Sequence, residues 1–162
     1  MKRPFFLTFF VLVASALLSA PGLAVTPVPV EGALMPASQF LSEKPGFTSW
    51  RVLGQVELVK QNRKMVPAFD RSVTALDGKM VRVQGFMMPL DIGDKQRRFL
   101  LVAAPPHCAF CLPAGPDAMI EVRAKSDIRY GFDAISISGK LQVLKDDPAG
   151  LYYRMVDAIP AQ

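Results

Sequence analysis

The chain has 162 residues, 51% of them hydrophobic and 20% charged, with a formal net charge of +5. That apolar share is too high for a disordered chain, and the length suits one hydrophobic core, not two. With a single histidine and two cysteines, a multi-histidine metal cage is excluded, as is any Ser-His-Asp arrangement not built on His107.

Lys2 and Arg3, the apolar stretch Phe5 to Leu18 and the small residues after it read as a secretory signal peptide. The stretch is too short to span a bilayer comfortably. Pro21 disfavours a cut after Ala20, so cleavage is expected after Ala24, leaving a mature chain that starts at Val25. No cysteine lies near the cut, so lipid attachment is not expected. The expected location is the periplasm, with no stable membrane insertion after signal removal. Cleavage takes two cations and no anion, leaving a net charge of +3 and no basic run. Nucleic acid is therefore not an expected partner.

Pro27, Pro29, Pro36 and Pro45, with Gly32 and Gly46, oppose both helix and central strand, so residues 25–46 are expected to form a flexible leader arm. A single domain is expected over 47–162. Trp50, Val52, Leu53, Val56 and Leu58 fit neither period cleanly, and 50–60 is predicted as a strand. Gln61 to Lys64 is a polar break, Met65 to Phe69 a short extended piece around Pro67, and Arg71 to Leu76 one helical turn or a loop.

Beyond the turn dipeptide Asp77-Gly78 the period becomes two, with Val81, Val83 and Gly85 opposing Arg82 and Gln84. The polar stretch Asp91 to Gln96 should turn 79–90 back onto 97–103 as an antiparallel hairpin. Phe99 to Ala104 is apolar throughout, as in a strand covered on both faces. Ala118, Ile120, Val122 and Ala124 alternate with Met119, Glu121, Arg123 and Lys125, which predicts a third strand with one wet face. Ile135, Ile137, Leu141 and Val143 form a fourth, where Gly139 marks a bulge or bend. Leu151 to Ile159 returns as the last. Strands joined by short polar turns predict an all-β fold, a small antiparallel barrel of OB-like type, closed or nearly closed, with a β-sandwich as the runner-up.

The residues Leu76 to Lys79, Val81, Val83, Gly85-Phe86-Met87-Met88-Pro89-Leu90, Phe99 to Val102 and the cysteine and proline loop 105–116 resemble the exported bacterial domain-of-unknown-function family 3299. The resemblance spans roughly residues 48–144, with Trp50 to Leu53 fitting its upstream part. It implies an exported barrel-like domain with a cysteine-bearing loop and an association with envelope transport, so the implied partner is an envelope transport complex.

Reactive residue types converge in the loop 105–116, where His107, Cys108 and Cys111 sit among four prolines that restrict the backbone. A Cys-x-x-Cys spacing lets both sulfurs face one point. In an oxidising compartment the pair could form a local disulfide, although closing so short a loop constrains the unfolded chain little. As thiolates, Cys108 and Cys111 with His107 suit zinc or cuprous copper, and with no second cysteine pair the site would be open, completed by water, a carboxylate or another chain. As a dithiol, the pair suits disulfide exchange, but Pro113, Gly115 and Pro116 oppose the helix start that usually lowers the first thiol's pKa. The function taken forward is a metal-binding protein of the envelope, a reading that leans away from an enzyme without deciding the question. A thiol-disulfide protein and a non-catalytic interaction module are the alternatives.

Other residues have simpler roles. Met87 and Met88 could add thioether ligands but fit a core, as do Trp50, Tyr152 and Tyr153, which could otherwise line a cleft. Asp77, Asp91, Asp94, Asp146 and Asp147 sit at turns where aspartate bonds backbone, which makes calcium binding a poor fit. Ser136 and Ser138 belong to the polar face of their strand.

Overall fold

In the computed structural model, which describes residues 40–106 and 115–161, five strands close into a barrel. The chain enters through Leu41, buried in the core, and Thr48, whose N–H donates to the Arg82 carbonyl. Residues 25–39 of the expected leader arm and the signal region lie outside the described residues.

Helix α1 is Trp50–Leu53, capped by Ser49, whose hydroxyl accepts from the Arg51 N–H. This corrects the strand expected over 50–60, which begins only at Val56. The cap satisfies an orphan donor, and a single turn buries Trp50 and Leu53 together, a spacing of three that no strand would place on one side. Strands β1, Val56–Gln61, and β2, Lys64–Phe69, form a separate two-stranded ribbon. Its two-residue turn holds Asn62 and Arg63 at φ of 50° and 65°. Asp70 caps the single-turn helix α2, Arg71–Thr74.

The barrel strands are β3, Met80–Pro89; β4, Lys95–Val102; β5, Met119–Arg129; β6, Ile135–Val143; and β7, Tyr153–Pro160. A 3-10 turn, Pro116–Ala118, leads into β5. The order around the barrel is β3-β4-β5-β7-β6, closed by β6 pairing with β3. Every pairing is antiparallel except β5 with β7. A five-stranded Greek-key barrel of this order is the OB arrangement, so the expected barrel is present with one parallel pairing in it.

Alternation sends Val83, Met87, Phe99, Leu101, Ile120, Val122, Ile137, Leu141, Tyr153 and Met155 inward, where all are almost wholly buried. Two glycines let strands close this tightly. A Cβ on Gly85 would lie 2.8 Å from the Val102 carbonyl oxygen, and one on Gly139 would lie 2.6 Å from Met155 Cγ and 2.9 Å from the Val156 oxygen. The irregularity expected at Gly139 does fall there, but the extra residue is supplied by β7. The β6–β7 register shifts between Ser138 and Lys140, the β5–β7 register shifts between Val122 and Ala124, and Asp157 has φ 53°. One bulge in β7 accounts for both shifts.

A second apolar cluster lies on the outer face, where Met88, Leu100, Val102 and Met119 are buried with Phe86 and Leu151 packed against them. This is why β4 is apolar at every position toward its end. It also corrects the wet face expected of β5, since Met119 and Glu121 on that face are buried.

Candidate functional site

The loop that carries the cysteines leaves the barrel from the end of β4 and re-enters at β5. Its base is a backbone clamp. The Ala103 N–H donates to the Ala118 carbonyl at 3.1 Å, and the Ala118 N–H donates to the Gly115 carbonyl at 3.0 Å, within the 3-10 turn that Pro116 opens. Pro106 and Gly115 are thus the described ends of the connection. His107, Cys108 and Cys111 lie outside the described residues.

Beside this base stands Asp117. A Cβ on Gly115 would lie 2.6 Å from its Oδ1, and one on Gly54, just past α1, would lie 4.0 Å from its Oδ2. Tyr152 and Tyr153 flank the same corner. Burial first, and the Asp117 carboxylate second, push both phenols above their usual range. The Tyr153 hydroxyl donates to the Leu53 carbonyl, while Tyr152 meets Phe69 edge-on at 5.6 Å. Sequence reasoning passed over Asp117, whose only signal was its place just after the loop.

The remaining expected candidates are mostly structural. Met87 points into the barrel and Met88 into the outer cluster, so both methionines are core filler. Trp50 is buried, with its indole N–H donating to the Gln84 carbonyl at 2.7 Å. Tyr153 is wholly buried and Tyr152 partly so. Asp77 Oδ1 accepts from the Val143 N–H at 2.9 Å, fixing the end of β6 rather than its own turn. Asp147 Oδ2 accepts from the N–H groups of Ala149 and Leu151, as turn aspartates do. Gln96, expected in a turn, is instead buried at the start of β4, and its side chain bonds Asp91 and Gly93 to shape the β3–β4 loop. Among the described residues, no three histidine, cysteine or acidic side chains gather as a metal group.

A charged constellation occupies the outer face of β4, β5 and β7. Glu121 is 1% exposed, and its Oε1 accepts from Arg98 Nε at 2.8 Å and, at 3.3–3.4 Å, from Arg123. Its Oε2 accepts from Arg154 Nε, and Arg154 Nη2 also donates to Asp147 at 3.2 Å. Burial alone would push the Glu121 carboxyl up, but the guanidinium hydrogen bonds of Arg154 and Arg98 outweigh it and hold the group down at about 2. The alternation of Glu121 with Arg123 was legible in the sequence, yet the strand pairing that brings Arg98 and Arg154 to the same carboxylate was not.

The family model described as "Protein of unknown function (DUF3299)" matches residues 25–156, so the chain belongs to that family. Among solved structures, a DUF3299 family protein from Pseudomonas aeruginosa PAO1 aligns over 59% of this chain and 68% of its own, with 20% identity and a TM-score of 0.47. No curated protein matches the chain.

Proposed function

We propose that this DUF3299 member is an exported binding protein of the bacterial envelope whose Cys108 and Cys111, with His107, take up a soft transition metal, zinc or cuprous copper, in support of envelope transport. The observation that carries this reading is the base of the loop. There the Ala103–Ala118 clamp and the 3-10 turn hold the described ends of the connection on the barrel. Three soft or borderline donors fall within five residues of the sequence, a spacing that lets them reach one ion. Asp117, at the described base, is a carboxylate available to complete an otherwise open coordination sphere. A periplasmic location rests on the residue pattern of the first 24 positions.

Pro113, Gly115 and Pro116 support this reading over disulfide exchange, because they oppose the helix start on which exchange catalysts depend to stabilise a thiolate.

The test uses the mature chain, produced from the full-length precursor, reduced and handled anaerobically. Native mass spectrometry is expected to show a chain beginning at Val25 that retains about one zinc or cuprous ion. The Cys108→Ser/Cys111→Ser variant should lose the ion while keeping its fold, and Asp117→Asn should hold it more weakly. Failure of the reduced wild type to take up either ion would discard the proposal.

A further inference from the structure

Arg98 on β4 and Arg123 on β5 are direct cross-strand partners. Two like charges placed opposite one another destabilise a sheet, so the pairing needs a compensating group. Glu121 supplies it only in part. Its two oxygens are already well bonded by Arg154 and Arg98, while Arg123 reaches it only at 3.3–3.4 Å, at the weak end of hydrogen bonding. Asp147 cannot serve Arg123 as well, because one of its oxygens faces Arg154 and the other its own turn. Three guanidiniums thus share two carboxylates, and the surplus positive charge sits at Arg98 and Arg123.

These two side chains also remain open to solvent, at 57% and 53% exposure, while the carboxylate beneath them is sealed. Among the described residues Arg98 bonds through Nε alone, so its terminal amino groups have no acceptor among them. Fixing a guanidinium through Nε leaves its outer fork pre-organised for a planar or tetrahedral oxyanion. The apolar cluster of Leu100, Val102 and Met119 lies on the same outer face.

We propose that Arg98 and Arg123, held by the buried Glu121, form a receptor for an oxyanion, either the carboxylates of an acidic protein segment or a free phosphate. This site stands on different residues from the cysteine loop and does not depend on it.

The mature full chain is titrated at low ionic strength with a fluorescently labelled hexaglutamate peptide, followed by anisotropy, and in a parallel arm with inorganic phosphate, whose own binding is read by calorimetry and whose competition is read against the peptide. Saturable binding is expected, with a loss of about tenfold or more in Arg98→Ala/Arg123→Ala. Should that variant fold poorly, Arg98→Lys/Arg123→Lys keeps both charges without the fork and is expected to lose a smaller part of the affinity. Arg63→Ala/Lys64→Ala, which removes two charges at the β1–β2 turn, should bind like the wild type. Preference for the peptide that phosphate does not erode assigns the site to an acidic protein segment, whereas ready displacement by phosphate assigns it to the free anion. Absence of binding to both probes, or equal losses in the barrel-face and turn variants, would overturn the proposal.

Discussion

The phenol of Tyr153, at the start of β7, donates to the backbone carbonyl of Leu53, the last residue of α1, 100 positions earlier. Both residues are wholly buried. This bond fastens the short capping helix to the barrel at the end where the β4–β5 connection leaves, so the corner that holds Asp117 is rigid because a buried carbonyl has one buried donor.

Tyr153→Phe is therefore expected to destabilise the protein by about 1–3 kcal/mol, the cost of leaving a buried carbonyl unpaired, read by urea unfolding followed through the emission of Trp50. The pH dependence has a definite sign. The folded phenol titrates above its ordinary 10, so its contribution is complete below that value and is lost as pH rises beyond it. The wild type should weaken above about pH 10 more steeply than Tyr153→Phe.

Glu121 gives the opposite limb. Its folded carboxyl titrates at about 2 against an ordinary 4.5, so its stabilisation is present above 4.5 and disappears as pH falls through about 2. That loss amounts to at most about 3 kcal/mol. Glu121→Gln should flatten this acid limb and cost about 1–3 kcal/mol at neutral pH, because three guanidiniums lose their shared counter-charge while staying partly solvated. An acid limb unchanged by the substitution would contradict the assignment.

Gly139→Ala should destabilise the barrel by about 1–3 kcal/mol, since the new methyl group meets both the Met155 side chain and the rigid Val156 carbonyl. The shift in denaturant midpoint checks this. Pairing it with Met155→Ala, which removes the side-chain obstacle, should recover only part of the loss because the carbonyl stays in place.

Arg63→Gly acts on the β1–β2 ribbon. Arg63 holds φ 65°, a left-handed conformation costing a non-glycine residue about 1–2 kcal/mol, and the substitution gives the Asn-Gly pair that two-residue hairpin turns favour. Amide exchange in β1 and β2 should slow in the variant, with the five-stranded barrel unaffected.

Much of the barrel was legible in the sequence because a half-buried strand has to alternate, and Val81, Val83 and Gly85, or Ile135, Ile137 and Leu141, show that period without help from the rest of the chain. The one-turn helix at Trp50 was not. Four residues are too few to display a 3.6 period, and its formation rests on the Ser49 cap and on burial of Trp50 and Leu53 against distant strands. The wet face assigned to β5 was wrong for a related reason. Met119 is buried by neighbours on β3 and β4, and Glu121 by arginines from β4 and β7, none of which its own segment reveals.

The candidate site divides in the same way. Cys108, Cys111 and His107 are candidates from residue type and spacing alone, since thiolate and imidazole chemistry is intrinsic to those side chains. Asp117 and the pair Arg98 and Arg123 are not, because an aspartate or an arginine acquires a role only from what surrounds it.

By itself the sequence determined the all-β class, the closely spaced donors of residues 107–111 and the family, since each is carried by local periodicity, side-chain chemistry or motif. Only the tertiary structure decided that β7 lies parallel to β5, that Tyr153 ties down α1 and that three arginines meet over one buried carboxylate. Those are pairings between segments up to 100 residues apart, and their energy comes from desolvation and hydrogen-bond geometry that exist only once the barrel has closed.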